Sequence, residues 1–232
     1  MRAGAALGAG ETALAALLWV VLCVGSAVLA LTAPVFTSAL TQALGVPASS
    51  GLSAADVVHL SGEVRALVAD GEYDPLPATW KGQPAFDRAA VRHLLDVRAV
   101  ISGARLASGL AALLLAAYVT TCTALRRLPR LSGGMRAAAW ALVAAAVLAV
   151  LAAFLDFETL FASFHGLFFA GGTWTFPADS MLIRLFPEPF WIASGASWAA
   201  LVLLFAAVLG LAGGRLVSAT RGVGASRTAE NV

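Results

Sequence analysis

The sequence predicts an all-α integral membrane protein, a four-transmembrane-helix bundle with a small extracytoplasmic helical cap. Three observations predict it. Of 232 residues, 60% are hydrophobic and 12% charged, with a mean hydropathy of +0.86, where a soluble domain carries about 25% charged residues. Four stretches rich in Ala, Leu and Val run without a charge, each long enough for the roughly 30 Å hydrocarbon core, which takes about 20 apolar residues. Basic and acidic residues fall into different connections between those stretches. This composition excludes a soluble enzyme, and it excludes a disordered chain, which needs a polar, self-repelling sequence. It also argues against a nucleic-acid partner, because the net charge is only +2 and the fifteen Lys and Arg are scattered between apolar blocks instead of forming a dense basic stripe.

The uncharged stretches lie between Glu11 and Pro34, Arg105 and Arg126, Arg136 and Asp156, and Glu188 and Arg215. They place spans at about 12–33, 104–125, 137–155 and 190–213 of a single membrane domain, 1–232. The first block is too long and too close to Pro34 to read as a cleaved signal peptide. Orientation follows the Lys and Arg near span ends. Arg126, Arg127, Arg130 and Arg136 share a connection without an acid, and Arg215, Arg221 and Arg227 follow the last span. Both regions, and hence both termini, are expected in the cytoplasm. The connections carrying Asp56, Glu63, Asp70, Glu72, Asp74, Asp87 and Asp96, and Asp156, Glu158, Asp179 and Glu188, are expected outside. Cys23 and Cys122 fall within spans without a CxxC partner and read as small core residues. The abundant alanines permit close helix packing but single out no interface. No span contains an ionisable residue that would mark a path across the membrane.

The extracytoplasmic cap covers about 36–101 and a second outer segment about 156–189. Asp56 to Ala69 has Val57, Leu60, Val64, Leu67 and Val68 at helical spacing, and Gly71 provides a stop. Asp74 to Pro84 holds three prolines and reads as loop, with Tyr73 and Trp80 as interfacial anchors. Asp87 can cap a helix over 86–101 that runs directly into the second span. In the second segment, Thr159 to Ala178 is uncharged yet contains His165, Gly171, Gly172 and Pro177. These are poor residues for a lipid-facing helix, so the stretch reads as re-entrant or interfacial. Pro177 and Pro187 would bound a short amphipathic helix carrying Arg184.

Two histidines stand out. On a helix, Asp96 lies one turn from His93 on nearly the same face, where its carboxylate could accept a hydrogen bond from one ring nitrogen and raise ring basicity. A solvated helical face explains the same spacing. His165 is the only titratable side chain between Glu158 and Asp179, and an ionisable group near membrane depth is a functional candidate. The two belong to the two outer connections, so a shared site is open to them. His59, on a cap helix without such a context, reads as a surface residue. Arg184 could pair with an acid, hold a phosphate or carbonyl oxygen, or simply snorkel.

Phe164-His165-Gly166-Leu167-Phe168-Phe169, then Trp174, Asp179, Leu182-Ile183-Arg184, Phe186-Pro187-Glu188 and Phe190-Trp191 resemble the signature of the lipoprotein intramolecular transacylase family of bacterial membrane proteins. His93-Leu94-Leu95-Asp96-Val97-Arg98 is similar to that family's motif before the second span. The resemblance covers nearly the whole chain, although the early cap matches no motif. It implies an enzyme of the bacterial cytoplasmic membrane with its site at the extracytoplasmic face. Its partners would be diacylated lipoprotein N-termini and membrane lipid, and neither a cofactor nor a metal is implied. Such an enzyme moves the sn-2 acyl chain of the diacylglyceryl-cysteine to that cysteine's own α-amine. His93 and His165 would be catalytic, Asp96 would orient His93, and Arg98, Asp179 and Arg184 would support the site. Phe164, Phe168, Trp174, Pro187 and Trp191 would line the pocket or the interface.

Ester aminolysis needs a neutral amine, a stabilised oxyanion and a proton for the leaving oxygen. Imidazoles with ordinary values near 6.5 can serve all three against an α-amine of about 7.7 to 8.0. Because donor and acceptor share one cysteine, proximity replaces an acyl-enzyme, in keeping with the lack of a recognisable nucleophile motif. Two other readings remain at this level. His93, Asp96 and His165 could ligate zinc, or the histidines a haem, and the protein could be a noncatalytic membrane scaffold.

Overall fold

The computed structural model describes residues 2–71 and 78–229, with side chains described over 8–71 and 78–218. Glu72, Tyr73 and Asp74 of the sequence reading, and the side chains of Arg221 and Arg227, lie outside the described residues. In chain order the helices are α1 (Arg2–Leu31), α2 (Pro34–Ala43), α3 (Val46–Ser50), α4 (Ala54–Arg65), α5 (Arg88–Ala124), α6 (Leu128–Leu155), α7 (Phe157–Phe168), α8 (Met181–Leu185) and α9 (Glu188–Ala229). Four stretches of them, Gly8–Leu31, Arg88–Ala124, Leu128–Leu155 and Glu188–Ser218, are long and apolar enough to cross a membrane. At 1.5 Å per residue, α5 with its 37 residues is about 55 Å long, more than the hydrocarbon requires. Its charged residues, from Arg88 to Arg105, all precede its apolar part, and Asp87 accepts from the Ala90 N–H at 2.7 Å to cap it.

The chain folds as two compact units. One comprises 1–27, 106–149 and 199–232 and is built from the long helices alone. Its interior is small: Ala15, Ala138, Leu142, Ala146 and Val202 are buried. Helices in lipid associate through close approach of small residues, and two glycines decide where. A Cβ on Gly134 would stand 2.9 Å from that of Ala15, and one on Gly213 would meet Arg136 Cγ at 2.9 Å and the Ser132 carbonyl at 3.2 Å. Arg130 of α6 pairs with Glu11 of α1. Cys23 and Cys122 are buried and free.

The other unit comprises 28–105 and 150–198 and has an aliphatic core around Val57, Leu60, Leu67, Leu94 and Leu185. Residues 34–50, for which the sequence offers no motif, form α2 and α3, each with a proline in its first turn, where the missing N–H costs nothing. Ser53 and Asp56 cap α4 reciprocally. The chain then closes one π-helical turn, Ala66–Asp70, and stops at Gly71 with φ +74°. The expected loop before Pro84 contains a small antiparallel hairpin, Thr79–Trp80 with Gln83–Pro84. Lys81 and Gly82, at φ +52° and +75°, make its turn, a backbone shape that matches strand twist. The short helix expected from Pro177 to Pro187 is only α8, because Ser180 rather than Pro177 caps it by accepting the Ile183 N–H. Asp156 caps α7 by accepting the Thr159 N–H at 3.0 Å.

Candidate active site

All the candidate site residues named by the sequence lie in the second unit, and the two histidines meet there. His93, in the second turn of α5, and His165, near the end of α7, are each 7% exposed. Their rings stand 6.3 Å apart between centroids and are inclined by only 27°. Along α7, Phe161, His165 and the C-cap Phe169 are spaced by four residues and so share one face. Phe161 covers His165 at 4.0 Å, and Trp174 covers it at 4.9 Å. Phe169 and Phe176 contact His93 at 4.9 and 5.6 Å. The two imidazoles therefore sit in an aromatic box.

The ring nitrogens are held differently. His165 Nδ1 lies 2.8 Å from the Phe161 carbonyl oxygen. A carbonyl only accepts, so Nδ1 carries the proton and Nε2 keeps its lone pair. Burial lowers the pKa of His165 below the usual value, outweighing the opposing effect of that hydrogen bond, so the ring is neutral near pH 7. His93 Nδ1 is buried without a hydrogen-bond partner, and so is Trp174 Nε1. An indole nitrogen can only donate, which makes Trp174 an unused donor beside His165.

Asp96 carries only part of the role the sequence suggests. Its side chain is exposed and accepts no hydrogen bond from the buried His93 Nδ1. Burial and the neighbouring His165 hold the pKa of His93 below the usual value, outweighing the Asp96 charge, which works to raise it. Three residues advance a helix by about 300°, an offset of about 60° around the axis, enough to leave Asp96 in solvent when His93 turns into the aromatic box. Arg98 lies against Gly71, where a Cβ would stand 3.1 Å from Nη2. Asp179 is exposed. Arg184 does hold a carbonyl oxygen, but the protein's own: Nε and Nη2 donate to Ser50 at 3.0 and 2.7 Å, with the guanidinium 4.9 Å over the Trp80 ring. Phe164 touches His165 at 5.7 Å and Phe168 at 5.2 Å, and both are about half exposed. Trp191 donates to the Phe186 carbonyl and meets Phe161 at 5.8 Å with its ring tilted by 59°, and Pro187 is half-buried beside Phe186. His59 is exposed.

Phe161, Phe169 and Phe176 line the site, although the sequence assigns them no role in it. Their four-residue register with His165 is the signal that would have found two of them. Among the described residues no three His, Cys, Asp or Glu side chains are grouped to hold a metal ion, so the zinc reading lacks its third ligand.

The family model of the lipoprotein intramolecular transacylase Lit matches residues 12–191. The chain belongs to that family. Among solved structures it is similar to the membrane-integral lipoprotein intramolecular transacylase Lit from Bacillus cereus, with a TM-score of 0.81 at 13% identity over 94% of this chain and 99% of that one. Two variants of the same Bacillus cereus protein, with a histidine replaced by alanine or by arginine, give TM-scores of 0.76 and 0.70. Their identities are 14% and 15%, over 95% and 96% of this chain and 98% and 99% of theirs. No curated protein sequence matches. At such identities the structural likeness speaks for the fold, and the family match carries the assignment to a membrane acyltransferase of lipoproteins.

Proposed function

We propose that the chain transfers the sn-2 acyl group of a diacylglyceryl-cysteine to that cysteine's α-amine, with His165 as base and His93 as proton donor. The observation that carries this reading is the buried pair of imidazoles with unequal hydrogen bonding. His165, its Nδ1–H engaged by Phe161, offers Nε2 as an acceptor. His93 avoids burying an unsatisfied N–H at Nδ1 by carrying its proton on Nε2, since an unmade buried donor costs about 1–3 kcal/mol. One ring is thus set to take a proton and the other to give one.

As the amine nitrogen bonds to the ester carbon, His165 Nε2 takes one of its protons. The charge that develops on the carbonyl oxygen is met by the His93 N–H and by Trp174 Nε1–H, donors that exist before the reaction begins. When the ester C–O bond breaks, the glyceryl oxygen takes a proton from His93 while the proton gained by His165 passes to His93, so that both rings end neutral and neither becomes an imidazolate. The products are an amide and a free hydroxyl, with no net proton change from the neutral amine. Phe161, Phe169 and Phe176 supply the dry walls that strengthen each of these interactions.

The test is mass spectrometry of lipoprotein N-terminal peptides from a host lacking N-acylation, expressing wild type, His93→Ala or His165→Ala. Wild type should yield the N-acyl, S-monoacylglyceryl form. Each variant should lose about 100- to 10,000-fold in rate, the usual worth of general acid or base catalysis. Unmodified diacylglyceryl-cysteine in cells holding folded wild type would overturn the reading.

A further inference from the structure

In the first unit, α6 and α9 leave between them an open groove of about 370 Å³. Its floor is made of small residues, Ala139, Ala206 and Gly210. A Cβ on Gly210 would come within 3.8 Å of that of Ala139. Trp140, Val143 and Leu203 form the walls. The stretch from Arg136 to Val143 is about 10 Å of helix and, after Arg136 itself, entirely apolar.

Arg136 closes one end. Its stem lies on Gly213, the position where any Cβ would strike Arg136 Cγ at 2.9 Å, so the arginine is seated across the two helices rather than waving from one. Its side chain is exposed, and among the described residues neither ion pair involves it. The segment just before α6 carries Arg126 and Arg127, with no acid between Arg126 and Arg136, and Arg215 follows Gly213 on α9. A guanidinium at the mouth of an apolar groove within a membrane helix pair calls for an anion with a hydrocarbon tail.

We propose that this groove binds one anionic phospholipid, its phosphate on Arg136 and one acyl chain along the Ala206–Gly210 floor. A second copy of the chain is a poorer occupant, because it would bring its own arginines to the same mouth. The site shares no residue with the histidine pair and does not depend on the transacylase reading.

Native mass spectrometry of the purified full chain in detergent, with equal phosphatidylglycerol and phosphatidylcholine, tests this. Wild type should retain the anionic lipid about tenfold over the zwitterionic one, as expected for one charged hydrogen-bonded contact. Arg136→Gln should bring the two to parity, Gly210→Leu should reduce both by filling the floor, and Arg126→Gln should keep the preference. Quenching of Trp140 by acyl-brominated phosphatidylglycerol, read as wild type minus Trp140→Phe, gives a second measurement on a chain with its groove and Arg136 intact. Equal retention of the two lipids by wild type, a preference that survives in Arg136→Gln, absence of Trp140 quenching, or a second protein chain as the bound mass would each overturn the proposal.

Discussion

Replacing Arg184 separates a residue that positions the site from one that acts on substrate. Two of its nitrogens donate to the single carbonyl of Ser50, which counts as one charge-assisted contact of about 1.5–3 kcal/mol. The stack on Trp80 at 4.9 Å adds roughly 0.5–1 kcal/mol. Because the guanidinium is only half-buried, the lower ends apply, and Arg184→Ala should cost about 2 kcal/mol. For a chain of this size that is about 4–8 °C in Tm. Arg184→Lys keeps the charge but loses the fork geometry and should fall between. The Trp80→Ala, Arg184→Ala cycle should show coupling of about 0.5–1 kcal/mol. Thermal unfolding in detergent measures these costs, and turnover at 25 °C, where every variant remains folded, should stay within about threefold of wild type. A variant that melts with wild type would refute the clamp. A folded variant whose turnover falls by 100-fold would show that Arg184 contacts the reacting lipid instead.

Trp174→Phe keeps the ring against His165 while deleting a donor that has no partner in the resting protein. It should lower turnover about 100-fold, the usual worth of an oxyanion donor, with little change in KM, and should leave Tm unchanged or higher because a buried unmade N–H is removed; turnover within twofold of wild type would refute the role. Stability should also fall in acid. The pKa of His165 is lower in the folded chain than its ordinary 6.5, so the unfolded chain binds more protons below that value. Its contribution is complete above pH 6.5 and is lost as pH falls toward the folded value, by at most about 1.4 kcal/mol per pH unit. Urea or thermal unfolding between pH 5 and 7 checks this, with His165→Phe expected to flatten the slope. Asp156, held below the usual carboxylate range by Thr159, adds its own loss only under about pH 4.

Much of this protein is written locally. Long uncharged runs force helices wherever lipid leaves backbone groups no other partner; the Asp87 cap and the Gly71 stop follow from side-chain chemistry within a few residues. His93 and His165 were legible for the same reason, each being a titratable group in apolar company. What distance in sequence hides, only the tertiary structure decided. The two imidazoles lie seventy-two positions apart in the chain, and nothing in either motif states that their rings lie 6.3 Å apart. Asp96 looked like the hydrogen-bond partner of His93 because spacing gives proximity along a helix, but not which way the pair turns once one member enters an aromatic box; only its charge still reaches the ring. Arg184 looked free to meet a ligand until the fold brought the Ser50 carbonyl to it. Among so many small residues, Gly134 and Gly213 became the contact points only because packing selects by shape, and shape belongs to two helices at once.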